Sequence, residues 1–162
     1  MNWHPIVVHF PVALVISATA LLWAARLLRG MRHAATLATV GTWNLCLGSA
    51  AAMAALGTGL AAVIGLHVDA AAHLAISTHV RWAFVSGLLL VLLSVWRGAG
   101  AAADSRPSWP FVVLLSAAAL CLMITAYLGG ENVYRHGIGV IGPQTRGSGP
   151  ATACDRRAAG CP

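Results

Sequence analysis

Residues 109–128 read WPFVVLLSAAALCLMITAYL, an apolar run without one charged side chain. About 20 such residues, rising 1.5 Å each in a helix, cross the hydrocarbon of a bilayer. The stretch therefore predicts a membrane-spanning helix from about Trp109 to Leu128. Working outward, three more segments have the required length: about Ile6 to Leu28, Thr36 to Ile64 and Leu74 to Trp96. The second is long and rich in Ala and Gly, and Gly57-Thr58-Gly59 marks a point where it is expected to tilt or break. Trp3, Trp23, Trp82, Trp96 and Trp109 fall near the ends of these spans, where indole rings favour the interface.

Composition agrees. The chain is 59% hydrophobic and 9% charged, against roughly 25% charged in a soluble domain, and its mean hydropathy is +0.78. The expected fold is all-α: an integral membrane four-helix bundle over residues 1–140, followed by a disordered or irregular tail at 141–162 rich in Gly, Pro and Arg. Small residues in the second span (Gly41, Gly48, Ser49, Ala50, Ala51, Ala52, Gly57, Gly59) suit close helix packing.

Several function classes drop out. The ten basic residues are all arginine, and with no lysine there is no Schiff base. No CxxCH provides for covalent c-type haem, and neither GxGxxG nor GxxxxGK[ST] provides for a nucleotide. No Ser/His/Asp set or paired carboxylate points to hydrolysis. The net charge of +6 lies mainly in loops and tail, which fits lipid headgroups and topology and not nucleic acid. The N-terminus has no basic region before its apolar run, so it reads as a retained helix and not a cleaved signal peptide. Arg26, Arg29, Arg32, Arg97 and Arg106 fall on one side, and Arg81, Arg135 and Arg146 on the other. That bias predicts a multi-pass protein with both termini outside the cytoplasm.

This topology carries six of seven histidines to the extracytoplasmic end: His4, His9, His67, His73, His79 and His136, with only His33 opposite. His9 is followed by Pro11, which removes a backbone hydrogen bond and should kink the helix there. His79 and Arg81 lie inside an apolar run, where ionisable groups are costly and face the bundle interior. Imidazoles on the first and third spans, His9 and His79, are placed to reach axial positions of a b-type haem, or to bind copper or zinc. His4, His136, Glu131 and Arg81 would supply further contacts, for example to haem propionates. Glu131, the only glutamate, follows Gly129-Gly130, an expected helix end, and needs Arg81, Arg135 or His136 to compensate it. Cys46 and Cys121 read as packing residues. Cys154 and Cys161, in the tail, are open to pairing in an oxidising compartment.

The segments His4-Pro5-Ile6-Val7-Val8-His9-Phe10-Pro11 and Gly129-Gly130-Glu131-Asn132-Val133-Tyr134-Arg135-His136-Gly137-Ile138-Gly139-Val140 resemble the two ends of the bacterial membrane family catalogued as domain of unknown function 2231. His79 looks like that family's third recurrent histidine, and the resemblance covers roughly residues 3 to 140. Asn132 departs from it, standing where leucine is more usual. The resemblance implies a four-helix inner-membrane protein. Similar domains occur fused to Rieske or c-type cytochrome modules, which implies redox work with such a partner. The combined expectation is an electron-transfer subunit with haem b at the extracytoplasmic end. The alternatives are a copper or zinc protein, or a non-catalytic subunit of a larger membrane complex.

Overall fold

The computed structural model describes residues 3–28, 30–64, 69–100 and 105–139. His67, Arg29, Arg146, Cys154, Cys161 and the tail from 140 onward lie outside the described residues. The described chain folds into α1 (His4–Val7), α2 (His9–Leu27), α3 (Ala34–Val63), α4 (Ala70–Gly100) and α5 (Trp109–His136). Four helices, with α1 and α2 counted as one span from His4 to Leu27, are each long and apolar enough to cross a membrane. With no water to satisfy exposed amides, hydrocarbon favours unbroken helices. This is the physical reason that α3 runs through Gly57-Thr58-Gly59 to Val63 without the expected break.

The join between α1 and α2 falls at Val8, whose backbone stays right-handed helical. Pro11 has no N–H to offer the carbonyl of Val7, so the disturbance sits in the turn preceding the proline. At its other end α5 passes through Gly129 and Gly130 and stops only at Gly137, which takes the left-handed conformation (φ 61°). The N–H groups of Gly137 and Ile138 close on the carbonyls of Val133 and Asn132. The expected end at Leu128 is therefore too early by two turns.

The spans form a square. α2 packs on α3, α3 on α4, α4 on α5 and α5 on α2, while the backbones of the diagonal pairs α2/α4 and α3/α5 stand further apart among the described residues. Val15, Leu22, Leu45, Leu90, Leu115 and Val112 fill the middle. The α2/α3 seam depends on two glycines: a Cβ on Gly41 would come within 2.8 Å of Leu22 Cγ, and one on Gly48 within 2.9 Å of Val15 Cγ2. Hydroxyls tie the other seams. Ser49 of α3 reaches Ser94 Oγ (2.7 Å) and the Leu90 carbonyl of α4, Ser86 of α4 meets Thr125 of α5, and Trp23 of α2 donates to Ser116 of α5 at 2.9 Å.

The two ends differ in chemistry. At one, the arginine end, Arg26 stacks over Trp109, and Arg97, only 4% exposed, donates to Thr42 Oγ1 and to the side chain and carbonyl of Ser105. The other is the histidine end.

Candidate functional site: an imidazole pair at the histidine end

His4 stands on α1, in the first turn of the span. Its Nδ1 lies 3.0 Å from the carbonyl of Ala55 and 3.3 Å from Thr58 Oγ1, both on α3. A carbonyl only accepts, and the Thr58 hydroxyl already points at the carbonyls of Ala54 and Ala55. Nδ1 must therefore be the donor, and the basic lone pair of the neutral ring lies on Nε2. The ring lies against Gly59, where a Cβ would be 2.8 Å from Cε1. Only glycine admits the imidazole so close to α3.

His79 repeats the arrangement on the opposite side of the square. Its Nδ1 donates to the carbonyl of Thr125 on α5 at 3.0 Å, and its ring lies on Gly129, where a Cβ would be 3.1 Å from Cε1. His4 and His79 both stand at the histidine end of the bundle, on the first and third spans. The two spans thus carry one imidazole each, held through Nδ1 by a backbone carbonyl of the neighbouring helix. Histidines that ligate iron or zinc are held in this way, with the non-ligating nitrogen donating to a carbonyl or carboxylate.

The remaining expected site residues are placed differently. His9 is exposed and turned back on its own span, its Nδ1 donating to the Pro5 carbonyl at 2.7 Å. Its angular position explains this: five residues of helix rotate His9 about 140° from His4. His4, and not His9, is the first-span histidine that turns onto the neighbouring helix. Arg81 is exposed, about 200° around α4 from His79, and so points away from it. Glu131 is held within α5 by Arg135 (Nε to Oε1 3.0 Å) and the Tyr127 hydroxyl (3.0 Å). Arg135 is therefore the compensating cation among the three expected. His136 is exposed in the last turn, and His33, at the arginine end, accepts from Arg32. Sequence reasoning counted Gly59 among the small residues suited to close approach, but missed that Gly59 and Gly129 each admit an imidazole and that the Ala55 and Thr125 carbonyls position the rings.

Among the described residues, no three side chains of His, Cys, Asp or Glu converge as a metal-binding group. No curated protein and no solved structure matches the chain. A family described as "Predicted membrane protein (DUF2231)" matches residues 1–142, which covers all four spans and both histidine-bearing ends. The chain belongs to this family of membrane proteins.

Proposed function

We propose that the protein is an electron-transfer subunit of a bacterial inner membrane, holding b-type haem between His4 and His79 at the extracytoplasmic end of its bundle. The observation that carries this reading is the matched pair of Nδ1-anchored imidazoles on diagonal helices. A porphyrin supplies most of the donors to its iron, so one or two imidazoles from the protein would suffice to hold it. Zinc and copper sites built from protein alone generally need three or four ligands, so the donor set favours haem over the non-haem metals.

Bound haem would supply a one-electron carrier. The chain's own part is to hold and orient. Ala55 and Thr125 carbonyls fix the two Nδ1–H groups and raise the basicity of Nε2. Gly59 and Gly129 set how far each ring stands from its supporting helix. The bias of arginines toward the opposite end supports the extracytoplasmic placement, where a soluble one-electron partner such as a c-type cytochrome or a Rieske module has access.

The test is the absorption spectrum of protein purified from haem-supplemented cells, oxidised and reduced. A Soret band that shifts on reduction is expected. It should vanish in His4→Ala and in His79→Ala and persist in His9→Ala and His33→Ala. A colourless, iron-free preparation overturns the reading, and loss of the band in His9→Ala but not His4→Ala overturns the assigned pair.

A further inference from the structure

The polar side chains buried among the described residues are Thr42, Ser49, Ser86, Arg97, Thr125 and Asn132. Thr42, Ser49 and Thr125 each donate to a carbonyl one turn back, and Ser86 donates to the Ala83 carbonyl. Arg97 donates to Thr42 and Ser105. Asn132 is the exception. It is 8% exposed, yet its carboxamide meets no hydrogen-bond partner among the described residues. A buried amide in that state weakens the fold, and native chains bond such groups to protein, water or a ligand. The carboxamide is not sealed in, for its atoms keep a trace of accessible surface.

Its position links it to His79. Asn132 follows Thr125 by seven residues and Gly129 by three, spacings that keep to one face of α5. That face holds His79, whose Nδ1 donates to the Thr125 carbonyl and whose ring lies on Gly129. Asn132 stands about 4.5 Å further along α5 than Gly129, toward the end of the bundle. The described cations at this end are turned elsewhere. Arg81 is exposed and points away from His79, and Arg135, 72% exposed, is held by Glu131. The Thr58 hydroxyl is given to the carbonyls of Ala54 and Ala55. Asn132 is therefore the buried donor that no protein group claims. A carboxamide offers two N–H bonds, and haem b carries its carboxylates on one edge of the ring.

We propose that the Asn132 carboxamide binds a carboxylate of the haem held by His79. The inference rests on the haem reading and adds to it a residue that recognises the periphery of the ring. The test uses the full chain, purified without haem in micelles, as wild type, Asn132→Leu and Asn132→Ala. Haem b and its dimethyl ester, whose carboxylates are blocked, are titrated into each and followed by the Soret band. The ester partitions differently into micelles, so the quantity read is the ratio of the two dissociation constants, compared between proteins. The preference for free haem should fall about tenfold in both variants, as expected for a hydrogen bond to a charged group. Arg81→Gln should keep the wild-type ratio. Without haem, whichever variant packs better should unfold no more readily than wild type, because the amide it removes has no protein partner.

A Soret band with the ratio unchanged in both variants overturns the inference and leaves the haem reading standing; water then satisfies the amide. A ratio that collapses in Arg81→Gln places the carboxylates at the surface and also overturns it. So does a haem-free chain that both substitutions destabilise, since the amide would then be structural. Absence of a Soret band in wild type removes the haem reading and this inference together.

Discussion

Replacing Gly59 by alanine tests the support of the imidazole pair most directly. The added Cβ would stand 2.8 Å from Cε1, 3.1 Å from Nδ1 and 3.5 Å from Nε2 of His4, so one edge of the ring meets it. Carbon atoms rest at about 3.5–4.0 Å, and the ring must retreat by about 0.7–1.2 Å. That movement stretches the 3.0 Å bond to the Ala55 carbonyl past the limit of a useful hydrogen bond. Overpacking costs about 1–3 kcal/mol and the lost bond about 0.5–1.5 kcal/mol. Alanine's better helix propensity returns up to about 1 kcal/mol. The balance is a net loss of about 0.5–4.5 kcal/mol. Gly57 is the internal control, since its added Cβ meets nothing within 4 Å, and Gly57→Ala should be neutral or stabilising. The same contrast holds on α5, where Gly129→Ala should be destabilising through His79 and Gly130→Ala should not. The assay is reversible unfolding in mixed micelles, with nitrogen NMR of the His4 ring reporting whether Nδ1 keeps its donor bond. If Gly59→Ala unfolds with Gly57→Ala and its His4 ring signals are unmoved, the packing argument is wrong.

Two further substitutions separate structural polar groups from functional ones. Ser49→Ala removes the bonds to Ser94 and the Leu90 carbonyl across the α3/α4 seam. Interhelical hydrogen bonds in membranes average about 0.6 kcal/mol and reach about 1.7, so unfolding in micelles should show a loss of about 1 kcal/mol, and wild-type stability would refute the tie. Glu131→Gln breaks a pair whose side chains are 30% and 72% exposed. Its effect on stability should stay below about 1 kcal/mol, with any Soret band unshifted; a displaced band would return Glu131 to the cofactor's surroundings.

The fold was largely legible in the sequence because a bilayer imposes so few solutions. A run such as 109–128 states its own secondary structure, and the arginines and tryptophans mark where spans end. The errors fall where glycine is read by the rules of water. Gly57, Gly59, Gly129 and Gly130 look like breaks or caps, yet all four lie inside continuous helices. In hydrocarbon an interrupted helix leaves unsatisfied amides, and two of these glycines are needed for the close approach of an imidazole. That the histidines gather at one end followed from topology alone. Which of them face inward did not, since that depends on the angular position of each residue relative to its neighbours.

For the first span, nonetheless, the angular information was present. His4, Val15 and Leu22 are separated by eleven and seven residues, close to three and two helical turns, and so share one face. Gly59, Gly48 and Gly41 on the next span show the same spacing in the reverse direction. An antiparallel pair of helices puts these two series in contact, and the structure does so position by position: Leu22 on Gly41, Val15 on Gly48, His4 on Gly59. His9 belongs to another series, with Ile16 and Trp23 at intervals of seven, and that face meets α5 at Trp23. Depth in the apolar run favoured His9 as the inward-turned histidine of the first span; angular position selects His4. Side-chain direction outweighs depth here, because a displacement of one turn along a helix is only about 5 Å, which a long side chain and a tilted span can absorb. A rotation of about 140° aims an imidazole out of the bundle, and no adjustment of a packed, glycine-lined seam recovers it.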